Sequence, residues 1–291
     1  MKNILIFGAT SSGKTSLSIS LAKRIDAEII NLDSRLFYKG MNIGTAKPSK
    51  KEMQNIPHHL IDFSNPGKQV TAGEWHKRFQ DVFEMLQKKK KNIILVGGTG
   101  FYARILLEGW DLGELPPDEK RRKELLDFEK NRPGYIYNLL KEMNFEKSKM
   151  INERDFPRLI RAIEIEESGP DSFPGSKDPI KLSTFYLDVE KENLDQRIFK
   201  RTNEMLRNGL EEEARFLWKK YPESSILSKT IGYAEFSPSK KHEEAFEEIN
   251  QNTIRLAKKQ RTWARGLSLD FEINGSLNLQ KQVEFILRKV L

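Results

Sequence analysis

Gly8-Ala9-Thr10-Ser11-Ser12-Gly13-Lys14-Thr15 spells G-x-x-x-x-G-K-[ST] without a gap, directly after the apolar run Ile4-Leu5-Ile6-Phe7 and directly before residues with helical spacing. In that context the backbone N–H groups of the loop and of the helix start converge on an anion. Lys14 adds a point charge to its distal phosphate, and the Thr15 hydroxyl is placed to ligate Mg2+. The pattern predicts a diphosphate or polyphosphate ligand cradled by Gly8, Thr10, Ser11, Ser12, Gly13, Lys14 and Thr15. It leaves open which bond breaks, with ATP as the default ligand. Asp33 closes the second apolar run, where a carboxylate at the carboxyl edge of a sheet would face the loop as a base or a metal ligand; a turn or N-cap role is the alternative. Gly97-Gly98-Thr99-Gly100 repeats the arrangement after a third run, its glycines letting backbone approach a ligand and Thr99 offering a hydroxyl.

Toward the C-terminus, Lys258, Arg261 and Arg265 recur at i, i+3 and i+7 beside Trp263, a spacing suited to a phosphate backbone and a stacked base. A solvated helix face accounts for the same residues equally well. Arg158 with Arg161, and Arg197 with Arg201, form two smaller basic clusters that can meet phosphate. The absence of Cys excludes disulfides, thiolate nucleophiles, iron–sulfur clusters and Cys-based zinc sites. The four His residues include no H-E-x-x-H arrangement, and the His58-His59 pair after Pro57 reads as a packed or turn feature rather than a metal site.

These residues need a frame. The runs Ile4–Phe7, 28–32 and 92–96 read as buried strands, each ending in small or polar residues, and Leu17, Leu21 and Ile25 carry a helical period between the first two. The alternation predicts an α/β fold, a P-loop NTPase-like core whose parallel sheet is flanked by helices and binds ligands at the carboxyl ends of its strands. From residue 116 the character changes to charged helical stretches, 118–130 and 158–167, followed by a loop at 170–175. The domain reading is therefore a core of 1–115 and 180–291 with a mostly helical insertion at 116–179. The core resumes as a strand at 182–189, then a helix through Leu194, Ile198 and Met205, a second helix at 210–219, and a long helix at 243–265. The chain has 291 residues, 50 Lys and Arg against 42 Asp and Glu, and a net charge of +8, which suits a polyanionic partner. No apolar stretch nears the roughly 20 residues a bilayer span needs, and no secretory h-region opens the chain, so a cytoplasmic protein without membrane contact is expected.

Taken together these segments resemble the tRNA isopentenyltransferase (tRNA dimethylallyltransferase) family along nearly the whole chain. The resemblance rests on the phosphate loop, Asp33-Ser34 with Tyr38, His58-His59-Leu60-Ile61-Asp62 and Gly97-Gly98-Thr99-Gly100-Phe101-Tyr102. It continues through Asp155 with Arg158, Arg161-Ala162-Ile163-Glu164, Arg197-Ile198 with Arg201, Met205 and Gly209, and 258–265. Ile43-Gly44-Thr45-Ala46-Lys47-Pro48 and Ile231-Gly232-Tyr233 stand out only through it. The resemblance implies transfer of a dimethylallyl group from dimethylallyl diphosphate to the N6 amine of the adenosine adjacent to the anticodon, in tRNAs reading codons that begin with U, with release of diphosphate. It assigns the loop to the diphosphate of that substrate, Asp33 to the general base, Thr99 to the reaction channel, and Lys14, Arg197 and a Mg2+ held by Thr15 to the departing diphosphate. The target base would be extruded from the anticodon loop. Contacts to tRNA would come from Ser34, Arg35, Leu36, Arg158, Arg161, Ile231, Gly232, Tyr233, Lys258, Gln260, Arg261, Trp263 and Arg265. The implied partners are the tRNA anticodon stem-loop and dimethylallyl diphosphate, the insertion helping to grip the anticodon arm, and a monomer is expected.

Three positions depart from the family pattern: Leu36 stands where the family has Gln, Pro157 replaces a Gln, and Ala264 replaces an aromatic. All three fall on the expected tRNA side, which predicts altered tRNA recognition beside an intact diphosphate half. The competing readings are a P-loop kinase of a small molecule or nucleoside, and a non-catalytic tRNA-binding protein. The first has no need of Trp263 in a basic stripe.

Overall fold

A computed structural model describes residues 1–110, 112, 115–169, 178–240 and 244–291. The loop read at 170–175 and the first residue of the helix read at 243–265 lie outside them. The chain opens with strand β1 (Asn3–Gly8), helix α1 (Lys14–Ile25), β2 (Ala27–Asn31), a single turn α2 (Lys50–Met53), β3 (His58–His59), α3 (Ala72–Lys88), β4 (Asn92–Gly97) and α4 (Gly100–Glu108). Four helices follow, α5 (Glu119–Asn131), α6 (Tyr135–Met143), α7 (Phe145–Lys149) and α8 (Phe156–Ser168). The chain then returns through β5 (Ser183–Asp188), α9 (Lys191–Arg207), α10 (Leu210–Lys220), two 3-10 turns, α11 (Ala245–Arg265), β6 (Phe271–Asn274) and α12 (Leu279–Val290).

Among the described residues six strands pair in parallel, in the order β3-β2-β4-β1-β5-β6, with β1 central and in register with both neighbours: Leu5 lies opposite Leu95 and Thr184. Parallel strands need helical crossovers, which cover both faces, and that is why the strand sequences are apolar at consecutive positions rather than alternate ones. Ile4, Ile6, Ile29, Ile94, Phe185 and Leu187 turn to one face and pack on Leu17 and Leu21 of α1 and on Val283, Ile286 and Leu287 of α12. The alternate residues Leu5, Phe7 and Leu95, each fully buried, turn to the other face, which α3 and α11 cover. This α/β architecture is the one the sequence implies. The carboxyl ends of β1, β2, β4 and β5 all open on one edge of the sheet, so the loops that follow them are neighbours by topology.

Two compact units divide the chain, Met1–Glu108 with Pro179–Leu291, and Gly109–Asp178. The smaller has its own core: Leu125 of α5, Ile136 and Leu140 of α6, and Leu159, Ile160 and Ile163 of α8. Helix α8 begins at an Asp155 N-cap whose side chain accepts from the Arg158 N–H, with Pro157 in the first turn, where a missing N–H costs nothing. Among the described residues no helix is long and apolar enough to cross a membrane.

Candidate active site

The phosphate loop leaves β1 at Gly8 and enters α1 through Gly13, whose φ of 100° is left-handed and suits only glycine without strain. The Ser11 and Ser12 hydroxyls are buried inside the loop without a hydrogen-bond partner, the kind of donors that an anion satisfies. Lys14 folds back so that its Nζ donates to the Ala9 carbonyl at 2.6 Å. From α9, Arg201 donates through Nη2 to Thr10 Oγ1 at 2.6 Å, and Arg197 donates to the Ser12 carbonyl at 3.1 Å and to the Gly275 carbonyl at 3.2 Å. Burial pushes the Lys14 ammonium down to about 8 and the Arg201 guanidinium down to about 10; the Asp33 carboxylate opposes both shifts, and Arg201 itself adds to the depression of Lys14. Two cations are thus desolvated beside unsatisfied hydroxyls at a helix N-terminus, an electrostatic trap for a polyanion. The sequence offers Arg197 and Arg201 as a basic pair that can meet phosphate, and the resemblance implies Arg197 for the departing diphosphate; this geometry brings Arg201 into the site as well.

Asp33 sits in the turn after β2. Asn31, at the end of that strand and buried, holds the turn from both sides: its Oδ1 accepts the Asp33 N–H at 2.9 Å, and its Nδ2 donates to the carbonyls of Asp33 and Leu60 at 2.9 and 3.0 Å. The Asp33 Oδ1 then accepts the Arg35 N–H at 2.9 Å, which fixes the carboxylate. Thr99 Oγ1 accepts a long hydrogen bond, 3.5 Å, from the Ser34 N–H, tying this turn to the one after β4. Ser34, Arg35 and Leu36 are half-buried in the same turn, and the Arg35 guanidinium reaches the Lys229 carbonyl at 3.3 Å. Phe37 and Tyr102 pack behind it with Trp75, whose ring stacks on Tyr102 at 3.9 Å.

Helix α11 lies across these loops. Gln260, buried, accepts the Thr10 N–H at 2.7 Å through Oε1. Its Nε2 lies so close to Gly98 that a Cβ there would stand 2.4 Å away, and a Cβ at Gly100 would stand 2.3 Å from the Trp263 ring. The glycines of the 97–100 turn are therefore spaces that α11 fills. Arg104 of α4 lies over the Trp263 ring, its guanidinium 4.9 Å from the ring centre. Lys258 and Arg265 are exposed, while Arg261 pairs with Asp188 at 3.5 Å. Ala264 is buried and lines, with Tyr186, Arg261 and Leu267, a cleft of about 430 Å³.

Several expected tRNA contacts have partners within the chain. Tyr233 is fully buried, and its hydroxyl donates to Glu213 at 2.6 Å. The same Glu213 carboxylate accepts the backbone N–H groups of Asn42, Ile43 and Gly44, and a Cβ at Gly44 would stand 2.5 Å from the Tyr233 ring. The two segments that sequence left without chemistry, 43–48 and 231–233, are thus one junction, in which Gly232 is buried and Ile231 half-buried. Gln260 likewise spends its acceptor on the phosphate loop. In the smaller unit, Arg158 is exposed and pairs with Asp155 at 3.3 Å. Arg161 is held by Glu164 and by the Leu115 carbonyl, both at 3.0 Å. His58 and His59 form the edge strand β3; His59 Nε2 meets Glu28 at 2.7 Å, and burial lowers the His58 pKa.

Among the described residues no group of three or more His, Cys, Asp or Glu could hold a metal ion. A divalent cation at the phosphate loop would take the Thr15 hydroxyl, at the first turn of α1, and draw its remaining oxygens from phosphate and water, the pattern that suits Mg2+.

The family model described as IPP transferase matches residues 36–267. A tRNA dimethylallyltransferase of Picosynechococcus is 36% identical over 270 residues, 90% of each chain, and one of Streptococcus agalactiae is 35% identical over 289 residues, 98% of this chain and 96% of its own. Among solved structures, the full-length tRNA isopentenylpyrophosphate transferase of Bacillus halodurans superposes with a TM-score of 0.73 at 30% identity, covering 99% of this chain and 95% of its own. A eukaryotic dimethylallyltransferase acting on tRNA reaches 0.79 at 25% identity, covering 99% and 80%. With the motifs, the fold and these relatives in agreement, the chain belongs to the IPP transferase family.

Proposed function

We propose that this chain is a tRNA dimethylallyltransferase, moving a dimethylallyl group from dimethylallyl diphosphate to the N6 amine of the adenosine next to the anticodon. The observation that carries the reading is that Lys14 and Arg201 meet the phosphate loop at the Ala9 carbonyl and the Thr10 hydroxyl, both desolvated, with the Asp33 charge acting on both. A leaving diphosphate needs the cations; an exocyclic amine, a weak nucleophile, needs the carboxylate.

In this reading the N6 lone pair forms a bond to the allylic carbon, the carbon–oxygen bond to diphosphate breaks with its electron pair going to the leaving group, and the N6 proton passes to Asp33. The Arg35 N–H on Oδ1 holds the carboxylate still and leaves its second oxygen for the proton. Lys14, Arg201 and the loop amides take the charge of the diphosphate, and Arg197 braces the loop through the Ser12 carbonyl. Mg2+, held by Thr15, supplies further charge neutralisation at the diphosphate when bound. Thr99 flanks the amine. Exposed Lys258 and Arg265 supply phosphate contacts for the anticodon stem-loop, with half-buried Trp263 between them. The kinase alternative leaves the α11 stripe without a use, and the non-catalytic alternative leaves the two desolvated cations without one.

Incubating the protein with labelled dimethylallyl diphosphate, Mg2+ and an unmodified tRNA tests the reading. Label should pass to the RNA, and Asp33→Ala should lower the rate about a thousandfold while RNA binding persists. Binding of both substrates without transfer in the parent chain would overturn it.

A further inference from the structure

Gln260 stands on the helix whose exposed side carries Lys258 and Arg265, yet its own side chain points the other way. It is buried, its Oε1 accepts the Thr10 N–H at 2.7 Å, and its Nε2 fills the space that any side chain at Gly98 would occupy. The Gly98 position is also 2.9 Å, Cβ to oxygen, from the Gly8 carbonyl. One amide is therefore wedged where the phosphate loop, the 97–100 turn and α11 meet. Thr10 is held on its other side by Arg201, whose guanidinium takes the Thr10 hydroxyl. Fixing one residue by its backbone N–H and by its side chain, from two different helices, sets the path of the loop just before the Ser11, Ser12 and Gly13 amides.

We infer that Gln260 is a positioning residue for the diphosphate: it shapes the phosphate loop through Thr10 and does not read RNA. The inference rests on the prenyl-transfer reading for its substrate but not for its geometry. A loop with a φ of 61° at Ser11 and 100° at Gly13 has other conformations open to it. Losing the acceptor leaves the partly buried Thr10 N–H unpaired, so the loop would shift to solvate Thr10 and its amides would no longer converge. The stripe residues on the opposite side of α11 touch none of this, so diphosphate affinity and RNA affinity should respond separately.

Gln260→Met keeps the volume and removes the acceptor. Calorimetric titration with inorganic pyrophosphate and Mg2+ should show a loss of affinity of up to about tenfold, the size expected for one hydrogen bond, while binding of an anticodon stem-loop stays within twofold. In the transfer reaction KM for dimethylallyl diphosphate should rise by the same factor with kcat changed less, and Gln260→Glu, which keeps an acceptor for Thr10, should bind the stem-loop as the parent does. Lys258→Ala should do the reverse of Gln260→Met, weakening RNA and sparing pyrophosphate. If the Met variant does not fold, Gln260→Asn, one methylene too short to reach Thr10, gives the same reading. Loss of RNA affinity with pyrophosphate binding unchanged would make Gln260 an RNA contact and overturn the inference, as would no change in either. A parent chain that binds pyrophosphate better than Gln260→Met by that factor yet transfers no label would keep the inference and sink the transfer reading.

Discussion

Arginine clusters occur in both units of this chain, and the carboxylates around them differ. In the smaller unit, Glu164 is almost wholly buried; its two oxygens take Arg122 at 2.6 and 3.0 Å and Arg161 at 3.0 Å, and Oε1 also takes the Asp118 N–H. Arg121 is paired in the same way with Glu167. At the phosphate loop, Lys14 and Arg201 meet a carbonyl and a hydroxyl, and among the described residues no carboxylate lies within ion-pair distance of either. The same residue types make a closed structural network in one place and an open one in the other. A cation whose charge is already answered holds the fold; one left desolvated with neutral partners is waiting for an anion.

Breaking the closed network should have the largest effect. Glu164→Ala leaves Arg122 and Arg161 facing a cavity, and with both arginines about a third exposed the cost is about 2–3 kcal/mol, below that of a fully buried pair. Hydrogen exchange of the full chain should show α5 and α8 losing protection while the sheet keeps its own. Arginine hydrogen bonds to Glu164 hold its carboxyl below the usual range against the burial that would raise it. That stability is present above the unfolded pKa and lost as the pH falls through the folded one, so the smaller unit should loosen in acid ahead of the sheet. Uniform loss of protection across both units would break the comparison. Opening the other network comes next: Arg201→Met should weaken pyrophosphate binding about thirtyfold, as expected for a charge-assisted contact, without lowering Tm, since the cation is desolvated at a cost in the free protein.

How far these networks could be read in advance depends on sequence distance. The strands β1, β2, β4 and β5 are legible because burial on both faces forces consecutive apolar residues, and the phosphate loop because all its donors lie within eight positions. Strand β3 has two residues, and β6 four with an alternating Phe271-Glu272-Ile273-Asn274 pattern, too short to carry a period. Helices α3 and α12 carry a helical period in Trp75, Phe79, Phe83 and Leu86, and in Val283, Ile286 and Leu287. Partners far apart in the chain were out of reach. Gln260 meets Thr10 across 250 positions, Arg201 across 191, and Glu213 meets Gly44 across 169. Of these, Gln260 is implied as an RNA contact by the family resemblance of 258–265, and only the packing shows that its side chain turns inward onto the phosphate loop. The three departures acquire plain settings: Pro157 starts a helix, Ala264 opens a cleft, and Leu36 continues the turn that Asp33 begins, its N–H on the Asp33 carbonyl at 3.2 Å.

Lys14 sharpens the comparison through pH. With its pKa near 8, the folded protein releases a proton that the unfolded chain keeps until about 10.5. Between those values the unfolded state binds more protons, so without ligand the contribution of Lys14 to stability rises with pH, the opposite of what a salt-bridged lysine gives. Diphosphate reverses the sign. It binds the ammonium form, so each binding event above pH 8 must take up a proton, and affinity should fall toward tenfold per pH unit there. Pyrophosphate titrations between pH 7 and 9.5 in buffers of different ionisation heat would show the slope and the proton uptake together. Lys14→Arg, whose charge persists across that range, should flatten both. A slope that survives the substitution would place the titrating group elsewhere and remove Lys14 from the open network.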